Sequence, residues 1–277
     1  MTDTPTNCIS GLAFQQSKLY SRTEMNSQLR YETTLGLLQE KGELSVVELS
    51  ERTGASPMTI RRDLQVLEQE GVLRRVHGGA ISLMSRGDLP PYSVREKRAM
   101  EAKKRIGQAA ASMIGERETV IIDVGTTTLE AARALRGRRN LTVITPSLHI
   151  ANVLAKEQGI RLMVTGGTVT QGDLSLIGDL AEDAFVRLRF DTLVMGVGGV
   201  DAEVGCTEFN SDDARVKRAA LATVRRCIVV ADSSKLGVVT FARVCPLDSV
   251  GVVITDAGAQ PEQVAALEST HVEVVVA

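Results

Sequence analysis

The sequence predicts a two-part α/β chain, with a small N-terminal winged helix-turn-helix ahead of a larger domain of alternating helices and strands. Three observations predict it. A short amphipathic helix opens at Ser56 and is followed by two strand-like runs around a glycine turn. The pair Pro90-Pro91 then interrupts any helical pattern. From about residue 99 onward, short Val/Ile runs interleave with helical periodicity, the pattern of a largely parallel sheet covered on both faces.

The elements follow in order. Residues 1–28 are polar and aperiodic and predict a disordered tail, with Met25 as an alternative start of translation. A helix is predicted over 28–41, with Tyr31, Leu35 and Leu38 inward and Lys41-Gly42 at its end. Ser45 with Glu48 makes a capping box that opens a short helix to about Thr53, its apolar part being Val46, Val47 and Leu49. Gly54 supplies the turn. Ser56 then caps a helix running to Glu70, with Pro57 at its first position and Ile60, Leu64 and Leu67 on one face. Gly71 closes it, and residues 72–81 read as two strands joined by a glycine turn, a β wing. These elements bound a domain at 29–84, and 85–98 reads as a linker.

In the domain at 99–277, helices are predicted at 99–114, 127–136, 147–157, 178–188, 210–226 and 261–268. Strands are predicted at 119–123, 141–145, 161–164, 191–199, 228–232, 250–255 and 272–276.

Composition narrows the function. The chain has 277 residues, a formal net charge of −2 and only 3% aromatic residues, which leaves little for stacking on single-stranded nucleic acid. Residues 29–84 hold seven basic and eight acidic side chains, so contact with a duplex depends on where the cations sit. Four of the seven fall in Arg61-Arg62 and Arg74-Arg75. The four Cys and three His are scattered, which argues against a disulfide framework or a metal site. With no apolar run of membrane length and no signal-peptide core, the expectation is a reduced, cytoplasmic protein without cofactor or metal.

Two sets of residues carry chemistry. In the first, Met58, Thr59, Arg61 and Arg62 lie off the apolar face near a helix N-terminus capped by Ser56. That is the end from which a recognition helix reads base edges. Arg74, Arg75, His77 and Gly78 form an exposed turn that suits phosphates or a minor groove. In the second set, polar residues follow successive strands. Asp123 precedes Gly125, Thr126, Thr127 and Thr128, a turn into a helix N-terminus that suits an anion. Thr145 and Ser147, Gly166 and Gly167, Gly198, Gly199 and Asp201, and the run from Asp232 to Lys235 follow other strands. Ligands of open α/β sheets bind beyond such strand ends. Glycine admits a ligand close to the backbone, Asp and hydroxyls suit sugar hydroxyls, and Lys235 suits phosphate.

The runs Met58 to Leu64, Arg74 to Ala80, Asp123 to Thr128, Gly166-Gly167 and Asp232 to Lys235, in this order and spacing, resemble the DeoR family of transcriptional regulators over residues 29–277. The resemblance implies an operator-binding winged helix and a sensor domain similar in fold to ribose-5-phosphate isomerase. It also implies a phosphorylated sugar or related metabolite as effector, repression of a carbohydrate operon, and a dimer or tetramer. Glu208 and Lys217 join the ligand candidates on the same footing. Pro146 stands where the family commonly has Asn, and the variable segment 203–210 bears on ligand choice.

An isomerase is the enzymatic alternative. Its acids would fall on Gly196, Gly199 and Val216, which cannot move a proton, so the sequence reads as a binder and not an enzyme. An effector-independent DNA-binding protein is the other alternative.

Overall fold

The computed structural model describes residues 27–69, 71–83 and 89–277. The expectations for residues 1–26, Met25 among them, and for the first residues of the 85–98 linker lie outside the described residues. The described residues divide into two compact units, the first being 27–69 with 73–82 and the second 71–72 with 83 and 89–277.

In the first unit, α1 (Ser27–Lys41) leads to β1 (Glu43–Ser45), α2 (Val46–Thr53) and α3 (Pro57–Gln69), then β2 (Leu73–Val76) and β3 (Gly79–Ser82). Ser45 caps α2 by accepting from the Glu48 amide, and Gly54 ends it in the left-handed conformation that favours glycine. Leu35, Leu38, Leu49, Ile60, Leu64 and Leu67 are buried in the core as the apolar pattern predicts, whereas Val47 is exposed and Tyr31 only half-buried. The strand β1 was not predicted. It pairs antiparallel with β3, so the wing is a three-stranded sheet ordered β1-β3-β2. The close approach of β1 explains Gly79, because a Cβ there would stand 2.2 Å from the Leu44 carbonyl oxygen.

The second unit begins with α4 (Tyr92–Lys97) and α5 (Met100–Ser112), followed by β4 (Thr119–Ile122), α6 (Thr126–Ala134), β5 (Leu141–Thr145), α7 (Leu148–Leu154) and β6 (Ile160–Val164). A small hairpin, β7 (Thr168–Val169) and β8 (Leu176–Ile177), precedes α8 (Asp179–Val186) and β9 (Phe190–Gly196). Then come β10 (Gly199–Asp201), β11 (Gly205–Glu208), α9 (Ser211–Leu221), β12 (Val224–Val230), β13 (Ala242–Cys245), β14 (Val252–Thr255), α10 (Pro261–Glu268) and β15 (Glu273–Val276).

Seven strands form one parallel sheet in the order β15-β14-β12-β9-β4-β5-β6. Both faces are buried, and alternation along each strand sorts the side chains between two cores. Val120, Ile122, Val194, Ile228, Val230 and Ile254 pack with Ile106, Ala110 and Leu129 of α5 and α6. Ile121, Leu193, Met195, Cys227, Val229 and Val253 pack on the other face with Phe185 of α8 and Val216 of α9.

Three sequence expectations are corrected. The residues predicted as a linker include a helix, α4. The helix predicted to 226 ends at Leu221, because Val224 already pairs with Phe190 in the sheet. The strand predicted over 191–199 stops at Gly196, and Gly199 starts a separate antiparallel sheet ordered β10-β11-β13.

The chain runs from β4 outward through β5 to β6, then returns to β9 on the other side of β4. The carboxyl ends of β4, β9 and β12 therefore meet where the strand order reverses, and such a switch point opens a crevice.

Candidate DNA-binding surface and effector cavity

In the first unit the recognition-helix candidate α3 is held by its buried face. Asp63 lies on that face and takes a forked ion pair from Arg30 of α1, with Nε at 2.6 Å and Nη2 at 3.2 Å. Ser56 caps the helix, accepting from the Thr59 amide at 3.2 Å. Met58, Arg61 and Arg62 are exposed and Thr59 half-buried, while Arg74, His77 and Gly78 are exposed on the wing. Arg61, Arg62 and Arg74 have no ion pair among the described residues. Arg75 differs. Its guanidinium and its amide both donate to Glu68 of α3, at 2.6 and 2.8 Å, which ties the wing to the helix. Arg75 therefore has a structural use that its place in a basic pair did not reveal.

In the second unit a cavity opens at the sheet's switch point. Val124 to Thr127 follow β4, Gly196 and Val197 end β9, and Val230 to Asp232 end β12; all of them line it. The turn at Gly125 has φ 142°, a conformation that favours glycine, and it aims the N-terminus of α6 into the space. The Thr128 hydroxyl is spent on the Gly125 carbonyl at 3.0 Å, so Thr126 and Thr127 are the hydroxyls at the cavity.

Three cations, Arg95 of α4, Lys103 of α5 and Lys235, line the cavity. Arg95 donates from Nε to the Pro90 carbonyl at 2.7 Å and pairs with Asp173. It also lies over the Tyr92 ring, which stacks on His149 at 4.0 Å. Lys103 Nζ donates to the Arg95 carbonyl. Burial, with Arg95 and Lys235 nearby, pushes the Lys103 ammonium down to about 8 even though Asp232 opposes the shift. Burial lowers Lys235 as well. An anion placed among these groups would reverse the penalty that burial and mutual repulsion impose.

Four acids line the cavity as well: Asp173, paired with Arg95, Asp232, which acts on both lysines, and Glu208 and Asp213. Behind the last two, Lys217 is 1% exposed, paired with Asp123 and, at 3.3 Å, with Glu208, and it donates to the Gly196 carbonyl at 2.9 Å. Burial opposes this ammonium, but Asp123 and Glu208 outweigh it and hold it protonated. Asp123 also accepts from the Gly196 amide at 3.1 Å.

The candidate ligand residues divide accordingly. Gly125, Thr126, Thr127, Glu208 and Lys235 line the cavity. Asp123, Thr128 and Lys217 are buried beside it and brace it. Thr145 accepts from the Ser147 amide, and Ser147 caps α7. Asp201 caps its own turn, accepting from the amides of Glu203 and Val204 at 2.9 Å. Gly166, Gly167, Gly198 and Gly199 are not in the lining. Gly199 is required by packing, since a Cβ would stand 2.1 Å from the Val238 carbonyl oxygen.

The sequence reading missed Arg95, Lys103 and Asp173. Lys103 had a usable signal, because it shares the buried stripe of α5 with Ile106, Gly107 and Ala110 at helical spacing. Among the described residues no group of His, Cys, Asp or Glu is placed to hold a metal ion.

Residues 30–86 match the DeoR-like helix-turn-helix domain, and residues 98–257 match the DeoR C terminal sensor domain. The chain belongs to the DeoR family. DeoR-family chains are transcriptional regulators, with DNA as the partner of the first unit and a small-molecule effector as that of the second. This one is 32% identical over 249 residues to the glycerol-3-phosphate regulon repressor of Escherichia coli K12, covering 90% of this chain and 98% of that one. It is 35% identical over 239 residues to the HTH-type transcriptional regulator GlpR of Haloferax volcanii, covering 86% and 93%. Among solved structures, ribose 5-phosphate isomerase A of Methanocaldococcus jannaschii overlaps 49% of this chain and 54% of its own, with 13% identity and a TM-score of 0.38. The DeoR-family relatives are regulators and not enzymes. In keeping with that, the positions considered for an isomerase's acids are Gly196, Gly199 and a buried Val216.

Proposed function

We propose that this regulator is a repressor of a carbohydrate-metabolism operon, released from its operator by a phosphorylated sugar or closely related metabolite. The observation that carries the reading is the polarity of the cavity. Lys103, Arg95, Lys235 and the N-terminus of α6 suit a phosphate, while Glu208 and Asp213 suit hydroxyl groups. The name of the Escherichia coli relative, a glycerol-3-phosphate regulon repressor, supports a phosphorylated polyol as the effector class. Operation in the cytoplasm as a homo-oligomer completes the proposal. Winged helices of two copies would meet half-sites about 34–36 Å apart or a multiple of that. An effector with differential affinity for a second arrangement would weaken this grip, by about 5–150-fold for a coupling of about 1–3 kcal/mol.

The test has two stages. Genomic fragments captured by the full chain are sequenced, and the enriched fragment is then titrated in a mobility shift with sugar phosphates. Enrichment of a carbohydrate operon and release by one phosphate ester are expected. Binding that no phosphate ester alters would overturn the effector reading, and enrichment of no discrete sequence would overturn the operator reading.

A further inference from the structure

The acids at the cavity are not equivalent, and the difference lies in their free hydrogen-bonding capacity. Asp123 is buried behind the lining and takes Lys217 and the Gly196 amide on Oδ2. Glu208 accepts from the Phe209 amide at 2.9 Å through Oε1 and pairs with Lys217 through Oε2. Asp213 stands in the first turn of α9, a helix capped by Asn210, and receives one bond, from the Ser175 hydroxyl to Oδ1 at 3.0 Å. Its Oδ2 accepts from no group among the described residues, and Asp213 lines the cavity. The groups that act on it electrostatically are Lys217 on its own helix, Glu208 on β11 and Asp123 after β4. Lys103 and Lys235 instead feel Asp232, Arg95 and Arg98, and Lys235 also feels Glu208. Asp173 pairs with Arg95, and Asp232 acts on Lys103 and Lys235, so among the lining carboxylates with an open oxygen Asp213 is the one whose charged neighbours lie outside the three lining cations.

We propose that Asp213 is a specificity-determining residue of this cavity, its Oδ2 accepting from a hydroxyl of a polyhydroxylated phosphate ester whose phosphate lies against Arg95, Lys103 and Lys235. The inference rests on the reading of the cavity as a phosphate-ester site and adds to it the group that tells an ester from phosphate itself. A carboxylate accepting from a hydroxyl makes a short, charge-assisted bond. A ligand without that hydroxyl leaves a half-buried carboxylate unpaired, the arrangement that discriminates most strongly between near-identical ligands. The apo protein already bears the cost of the open acceptor, since burial near Glu208 and Asp123 pushes the Asp213 carboxyl up to about 6 despite the Lys217 charge.

The experiment is titration calorimetry of the full chain at pH 7.5 with inorganic phosphate, glycerol 3-phosphate, ribose 5-phosphate, 2-deoxyribose 5-phosphate and sorbitol 6-phosphate. The quantity read is the affinity of the best ester relative to inorganic phosphate. At least one ester is expected to exceed phosphate by about tenfold or more in the wild type. Asp213→Ala and Asp213→Asn are expected to cut that ratio about tenfold while inorganic phosphate binds as well as before or better, which also shows that the variants are folded. If phosphate binds and no ester exceeds it, or if both variants keep the wild-type ratio, the role of Asp213 is overturned and the phosphate site stands. If neither phosphate nor any ester binds, the reading of the cavity itself falls.

Discussion

At the residue scale, two titrating groups make the cavity's chemistry measurable. The folded value of Lys103, about 8, lies below its ordinary 10.5, so folding favours the neutral amine. Its contribution to stability therefore rises with pH between those values, and an anion bound beside it restores the charge. Phosphate binding at pH 8.5 is expected to take up a fraction of a proton, seen as a dependence of the binding enthalpy on buffer ionisation, and Lys103→Met is expected to reduce the uptake. Asp213 has the opposite sign. Its folded value, about 6, lies above its ordinary 3.8, so the folded state holds the proton more tightly. The contribution of this group to stability falls as pH rises from about 4 to about 6, by up to roughly 3 kcal/mol. Asp213→Asn is expected to raise Tm at pH 7.5, with the gap closing toward pH 4, as read by calorimetry.

At the element scale, what was legible in the sequence is what local patterning determines. The Ser45 and Ser56 caps, the apolar face of α3 and the turn at Gly125 each depend on neighbours within a few residues, and each lies where the pattern put it. The strands β1, β10, β11 and β13 are three or four residues long, and their pairing partners lie far along the chain except for β10 with β11, so no period announced them. The helix α4 was hidden by the prolines just before it, which read as a break although Pro91 stands at the position ahead of a helix. Asp63, inside a motif that reads as a DNA-facing run, is instead the anchor of α3 on α1. Asp63→Ala would remove the forked acceptor of the mostly buried Arg30 guanidinium and is expected to cost about 2–3 kcal/mol, measured by denaturant unfolding. Gly79→Ala should loosen the wing by about 1–3 kcal/mol through the clash with Leu44.

At the scale of the whole molecule, the candidate site was only half legible. Strand-end motifs located the cavity at the switch point, because topology brings the ends of neighbouring parallel strands together. Arg95, Lys103 and Asp173 come from elements that reach the cavity only through packing, and a lone charge in a sequence carries no record of that. The division into two units separates the losses that mutation should cause. Arg61→Ala is expected to weaken DNA binding, by about 1–3 kcal/mol for a bidentate base contact, with phosphate-ester binding unchanged. Lys235→Ala is expected to blunt the ester response and leave DNA affinity intact. Paired mobility shifts and titrations check both, and loss of both activities in either variant would contradict the division of labour.

The bonds of α4 have a mechanical consequence. Pro90, Arg95 and Lys103 are fastened to one another by a guanidinium and an ammonium that also face the cavity. Residues 90–98 lie at the entry of the second unit. Were a phosphate to draw either cation toward itself, the clasp at the entry of the second unit would loosen.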